Sequence, residues 1–178
     1  MKQERGSRDV TTGSARPTDL FVGVGSNLGD ATANVRWALG QLGARSPGMR
    51  QSSLWRSSPV GLPEGAPDFV NAVVALDGHP WADPGDCLRS LQALEAERGR
   101  PREHDRGQSR TLDLDILLWG TATVALSTVS TPHPRMLGRA FVMMPLAEIA
   151  PDLIVPGQSA TVAQICARLA GEVPVRIA

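Results

Sequence analysis

Lysine is almost missing from this chain. Lys2 is its single occurrence in 178 residues, and every other formal positive charge belongs to arginine. A Walker-A phosphate loop needs a lysine after its glycines, so that loop is excluded. Lysine-based Schiff-base or proton-transfer chemistry is excluded with it. Tyrosine is absent, and phenylalanine occurs only at Phe21, Phe69 and Phe141, so few rings are available for stacking. The two cysteines, Cys87 and Cys166, stand far apart and form no metal-spaced pair. They are expected to be reduced thiols of an intracellular protein. No run is long and apolar enough to span a bilayer. Net charge is missing too: 18 acidic and 18 basic side chains cancel. That removes the global attraction on which nucleic-acid and anionic-surface binders rely. Any anionic ligand must be met by local clusters of guanidinium groups, which can bind oxygens in pairs.

What remains is an ordinary globular composition, 42% hydrophobic and 20% charged, in a chain long enough to bury one proper core. Residues 1–17 are polar, with no apolar stretch of the kind a secretory signal carries. They are expected to be a disordered extension ahead of a single domain over 18–178, and the cytoplasm is the expected compartment. Leu20 to Gly25 reads as a short buried strand, followed by turn and cap residues Ser26 to Asp30. Val35, Ala38, Leu39 and Leu42 then recur at helical spacing. Further strands are predicted around Ser52 to Trp55 and Phe69 to Leu76, separated by a Pro- and Gly-rich loop. Asp83-Pro84 opens a helix to about Arg98, and Leu112 to Leu118 forms another strand. A helix near Arg139 to Ile149, stopped by Pro151, and a last one near Thr161 to Ala170 complete the chain. This order predicts an α+β fold: a ferredoxin-like antiparallel sheet with a βαββαβ core, helices packed on it and an additional C-terminal helix.

Asp113 and Asp115 lie two residues apart in an otherwise apolar strand. Side chains alternate along a strand, so both carboxylates project from one face, roughly 6–7 Å apart along the backbone. Leu112, Leu114 and Ile116 point the other way, into a core. Two like charges on a partly buried face repel and raise each other's pKa. A divalent cation removes that conflict, and carboxylates with water and phosphate oxygens are the usual Mg²⁺ donors. Just upstream, Arg100, Arg102, Arg106 and Arg110 fall within eleven residues. A solvated charge run is the ordinary explanation of such a stretch. Ending at the Asp pair, it points instead to a phosphate clamp, with metal on one side and guanidinium on the other. Phe69 and Phe141 offer rings for a flat heterocycle, and Asn71 shares the strand face of Phe69 with an amide suited to a donor–acceptor edge. His133, between two prolines, lies near Arg135 and Arg139. The glycines at 23, 25 and 29 miss the dinucleotide spacing and are expected to serve a tight turn and close packing.

In order and spacing these segments resemble the 6-hydroxymethyl-7,8-dihydropterin pyrophosphokinase family. The resemblance covers about residues 19–157. It is carried by GSNLGD (25–30), WRSSPVG (55–61), PDFVNAV (67–73), Gln92 with Glu95, RTLDLD (110–115), PHPR (132–135) and RAFVMMPL (139–146). It implies transfer of pyrophosphate from ATP to the pterin hydroxymethyl group, with release of AMP, in folate biosynthesis. By position it implies that Asp113 and Asp115 hold two Mg²⁺ ions and that Arg100 and Arg110 are catalytic. Phe69 and Phe141 would sandwich the pterin, with Asn71 and the backbone around Ser57 and Val60 reading its edge. Gln92, Glu95, Arg102, Arg106, Arg110, His133 and Arg139 match nucleotide-site positions, and the arginine loop would close as a lid. Small-molecule partners, no nucleic acid, no membrane and a monomer are expected. One departure stands out: Gly107-Gln108-Ser109 replaces an aromatic-Gly-Pro tripeptide, which predicts a looser loop. The rival reading is therefore an inactive relative that binds nucleotide or pterin without transfer. A palm-like nucleotidyltransferase would need a nucleic-acid groove, against the neutral charge balance. A purely structural module leaves the Asp pair unexplained.

Overall fold

The computed structural model describes residues 19–99, 108–169 and 173–177. The expected N-terminal extension and Arg100, Arg102, Arg106 and Gly107 lie outside the described residues. Strand β1 (Leu20–Ser26) leads into helix α1 (Ala31–Arg45). The turn between them needs Gly29, whose φ of 64° suits a residue without Cβ. Asp30 caps α1 by accepting from the Ala33 N–H at 2.9 Å. Strands β2 (Arg50–Gln51), β3 (Leu54–Ser57) and β4 (Phe69–Leu76) follow. Helix α2 (Pro84–Glu97) begins at an Asp83 cap with proline in its first turn. Strand β5 (Asp113–Trp119), a small β6 (Val124–Ala125) and β7 (Ser130–Thr131) ribbon, α3 (Ala140–Ile149), α4 (Val162–Cys166) and β8 (Val175–Ile177) complete the order.

The main sheet runs β5-β1-β4-β3-β8, every pairing antiparallel, with β2 also on β4. Its first four strands have the order and direction of a ferredoxin-like βαββαβ unit, as the sequence predicts. The expected strand over Ser52–Trp55 is instead two pieces. Between them Ser52 donates its N–H to the Val73 carbonyl and accepts the Val73 N–H on its hydroxyl, so a side chain replaces one rung of the ladder. The last helix is shorter than the expected Thr161–Ala170. A Thr161/Gln164 capping box starts it, but at Arg168 and Leu169 the bonds tighten to a three-residue span and the helix ends. The edge strand β8 has no counterpart in the expected order. Among the described residues no helix is long and apolar enough to cross a membrane.

The two faces of the sheet carry different loads. Leu20, Val22 and Val24 of β1, Leu114 and Ile116 of β5 and alternate residues of β4 meet Val35, Leu39 and Leu42 of α1 and Leu91 and Leu94 of α2 in one aliphatic core. On the other face Phe21, Val73, Leu117 and Leu118 meet Met143 and Leu146 of α3. A bulge in the β1–β5 register, where Phe21 faces Leu118 and Val22 faces Ile116, lets both Leu117 and Leu118 join this second core. Glu148 ties α3 to the far edge. It accepts from the Ser53 N–H and hydroxyl and the Trp55 indole, and pairs with Arg176 of β8. The second core does not cover the whole face: toward the ends of β1 and β5 it gives way to a cavity.

Candidate active site

The cavity opens because β1 supplies glycine where its alternation calls for side chains on this face. Gly23 stands opposite Asp115 on one side and Val73 on the other, and Gly25 opposite Asp113 and Asn71. A bare strip thus separates the two aspartates of β5 from Asn71 of β4. At normal strand spacing it holds Asp113 and Asn71 roughly 10 Å apart. The space measures about 520 Å³ and is lined by Asp113, Asp115, Arg110, Arg135, Arg139 and Leu117 at one end. Phe69, Asn71, Ser57, Val60, Phe141 and Val142 line the other.

At the acidic end, burial pushes the Asp115 carboxyl above the ordinary carboxylate range, and Asp113 adds to the shift. His133, Arg139 and Arg110 oppose it. Arg110 donates to Asp113 Oδ2 at 2.9 Å. His133 accepts the Arg135 N–H on Nδ1 at 3.2 Å, so its ring proton sits on Nε2. Burial lowers the His133 pKa against the pull of Asp115, with Arg139 and Arg135 lowering it further. Arg139 reaches this end from the start of α3, its guanidinium 5.4 Å from the Phe141 ring centre. Among the described residues no group of three or more His, Cys, Asp or Glu side chains could cage a metal. The donor set nevertheless fits Mg²⁺, which commonly takes one or two carboxylates and completes its shell with water and phosphate.

At the ring end the Asn71 amide is oriented by its neighbours. Nδ2 donates to the Ser57 hydroxyl at 3.0 Å and to the Trp55 carbonyl at 3.4 Å. Oδ1 is left toward Gly25, where a Cβ would meet it at 3.4 Å. The side chain therefore presents an acceptor to the cavity, suited to N–H groups on a heterocycle edge.

The model of the family described as 7,8-dihydro-6-hydroxymethylpterin-pyrophosphokinase (HPPK) matches residues 21–151. The chain belongs to this family. A 2-amino-4-hydroxy-6-hydroxymethyldihydropteridine pyrophosphokinase of Pseudomonas aeruginosa is 44% identical over 140 residues, 77% of this chain and 83% of the relative. The enzyme of the same name from Synechocystis is 38% identical over 159 residues, 84% and 78% of the two chains. Among solved structures, an HPPK-DHPS in complex with substrates superposes with a TM-score of 0.66 at 10% identity, over 85% of this chain and 43% of the other. That likeness shows the fold, and this chain spans less than half of that longer protein.

Within this chain most of the expected residues converge. Asp113, Asp115, Arg110, Arg139, Ser57, Val60, Phe69, Asn71 and Phe141 line one space, and His133 adjoins Asp115. Gln92 and Glu95 do not line it. Gln92 is exposed on α2. Glu95 is buried, and its Oε1 accepts the Leu114 N–H at 2.7 Å, between the two aspartates. Since β5 is the sheet edge, this carboxylate takes a backbone donor that has no strand partner. The sequence reading gave Arg135 no role of its own, Gly25 only a part in a tight turn and close packing, and Asn27 only a place among turn and cap residues. Arg135 was visible as the last residue of the PHPR segment. Asn27, 2% exposed, is fixed by bonds to positions far away in sequence, for which no local pattern exists.

Proposed function

We propose that the protein transfers the terminal pyrophosphate of ATP to the hydroxymethyl group of 6-hydroxymethyl-7,8-dihydropterin, a step of folate biosynthesis. The hydroxyl oxygen bonds to the β-phosphorus, the bond from that phosphorus to the α–β bridging oxygen breaks, AMP leaves, and the hydroxyl proton is lost. One observation carries this reading: a single cavity joins a carboxylate-and-guanidinium end to an aromatic-and-amide end, with only glycine backbone between them. Phe69 and Phe141 stack the pterin, and Asn71 Oδ1 accepts from its N–H edge. Arg110, Arg135 and Arg139 hold phosphate oxygens, and Asp113 and Asp115 would hold two Mg²⁺ ions. When bound, Mg²⁺ neutralises charge on the phosphates during transfer. The protein's own share is positioning: it fixes acceptor and donor in one geometry and keeps water from the reacting atoms. His133 Nε2, the ring nitrogen not engaged by the Arg135 N–H, donates to a phosphate oxygen. Glu95 acts on the nucleotide end only through β5, and for Gln92, exposed on α2 away from the cavity lining, the nucleotide role rests on the family resemblance alone. The even charge balance supports small-molecule partners rather than nucleic acid, with a monomer in the cytoplasm as the setting.

The test is nucleotide product analysis after mixing the protein with ATP, Mg²⁺ and the pterin. AMP formed only when the pterin is present is the expected result. ADP would mean attack at the γ-phosphorus and a different placement of the triphosphate. Pterin binding with no nucleotide product would favour the non-catalytic relative, for which the altered Gly107-Gln108-Ser109 segment is the motive.

A further inference from the structure

The segment that carries the cluster of arginines leaves the described residues at Gly99 and returns at Gln108, and both flanks are tied to the same turn after β1. On the entry side Arg98 donates to Asn34 Oδ1 at 2.7 Å and lies over the Trp37 ring, while Asn34 Nδ2 holds the Leu28 carbonyl at 3.0 Å. On the exit side the clamp is tighter. Arg110 donates its N–H to Asn27 Oδ1 at 2.7 Å, and its carbonyl accepts from the N–H groups of both Asn27 and Leu28. Asn27 can present Oδ1 in this way only while its Nδ2 faces acceptors on the other side. There are two: the Ser109 hydroxyl at 2.9 Å and the Pro67 carbonyl at 3.2 Å.

We propose that Ser109 is a positioning residue for the phosphate end of the site. Its hydroxyl fixes the Asn27 amide, the amide fixes the Arg110 backbone, and the Arg110 guanidinium is thereby set between Asp113 and the nucleotide. The inference rests on the function proposed above. Ser109 does not line the cavity; the side-chain contact through which it acts on the site is its bond to Asn27. It stands where the family resemblance leads one to expect proline. A side-chain hydrogen bond here does by contact what a proline ring does by restricting φ. The pterin end has its own support, because Ser57 orients the Asn71 amide.

The deciding experiment compares Ser109→Ala and Ser109→Thr with the unaltered protein. Calorimetry measures binding of a non-hydrolysable ATP analogue with Mg²⁺, and fluorescence measures binding of the pterin. One lost net hydrogen bond corresponds to about a three- to tenfold change in an equilibrium constant. Ser109→Ala is expected to weaken the analogue by that factor, to lower kcat/KM for ATP alike, and to leave the pterin Kd within about twofold. Its melting temperature should stay within about 3 °C, and Ser109→Thr, which keeps the hydroxyl, should restore analogue binding. Unchanged analogue affinity in Ser109→Ala would overturn the proposal. So would equal losses for analogue and pterin with a lowered melting temperature, or a threonine variant no better than alanine. Failure of the unaltered protein to make AMP would refute the proposed reaction while leaving these binding ratios to decide the role of Ser109.

Discussion

Gly25→Ala should make this protein no less stable and far less active. Gly25 lies within β1, and its backbone is not in the left-handed region that demands glycine. An added Cβ would sit 3.4 Å from Asn71 Oδ1, 3.8 Å from the Phe69 ring edge and 3.9 Å from the Asp113 Cβ. All three are ordinary contacts, so nothing in the folded chain must move. Replacing glycine in a strand interior also reduces the entropy lost on folding, by about 0.5–1 kcal/mol. For a chain of this size that corresponds to a melting temperature raised by about 1–4 °C. The same methyl fills part of the bare strip between the Asp pair and Asn71. In the proposed binding mode it would cover the Asn71 acceptor offered to the heterocycle and keep the reacting groups apart by about the radius of a methyl. A displacement of about 1 Å can cost on the order of a hundredfold in rate.

The assay is paired: thermal melting without ligands, then kcat/KM for both substrates. Expected is a melting temperature equal to or above that of the unaltered protein with kcat/KM lowered about a hundredfold or more. Activity within threefold of the original would show that the substrates do not lie across this strip. A fall of more than about 5 °C in melting temperature would show that the packing argument at Gly25 is wrong.

Glu95→Ala should lose about 1–3 kcal/mol, because it leaves the buried Leu114 N–H without its acceptor; urea unfolding measures this, and Glu95→Gln, whose amide oxygen can still accept, should keep most of it. Asp113→Ala and Asp115→Ala should each abolish AMP formation in a folded protein, and activity within tenfold of wild type in both would end the metal assignment. Without metal, the raised pKa of Asp115 means that the folded state holds its proton more tightly than the unfolded one. Its contribution to stability therefore declines as pH rises from about 4 through the folded-state pKa, and Asp115→Asn should remove that part of the pH dependence of melting. Burial, with Asp86 nearby, pushes the Cys87 thiol up to about 12. A maleimide at pH 8 should leave it unlabelled until the protein is unfolded, and labelling of the native protein there would contradict its burial.

The sequence is most readable where cause and effect are close together. β4 falls at the expected Phe69–Leu76, and the expected strand through the Asp pair is shifted by one residue at each end. Eight apolar-rich residues in one case, and two carboxylates at a spacing of two in the other, leave few alternatives. Both Asp side chains and the Phe69/Asn71 pair could be placed on faces by alternation alone. That those two faces belong to one cavity depends on β1 lying between β5 and β4, which follows from topology rather than from any local pattern. β8 escaped because three residues carry no period; it exists through pairing with β3 and the Arg176–Glu148 contact. Asn27 escaped for a related reason. Its side chain bridges 40 positions to Pro67 and 83 to Arg110, and a sequence pattern shows an asparagine in a turn and nothing more.

Leu114 shows how the two faces of the sheet act on one another. Its side chain is buried in the aliphatic core with α1 and α2, its N–H is held by Glu95, and its chain neighbours are the two aspartates on the opposite face. β5 is an edge strand whose outer backbone is held by the Glu95 carboxylate at Leu114 and by the His133 N–H at the Leu117 carbonyl, and Glu95 is the hold that lies between the two aspartates. The desolvated like charges of that pair are a destabilising element that the second core, interrupted by glycine at Gly23 and Gly25, is poorly placed to offset. The sealed core on the other side does so by gripping the same strand through Leu114 and Ile116. A cavity-forming change deep in that core, such as Leu91→Ala, should therefore cost about 2–5 kcal/mol and also loosen the spacing of two carboxylates it never touches.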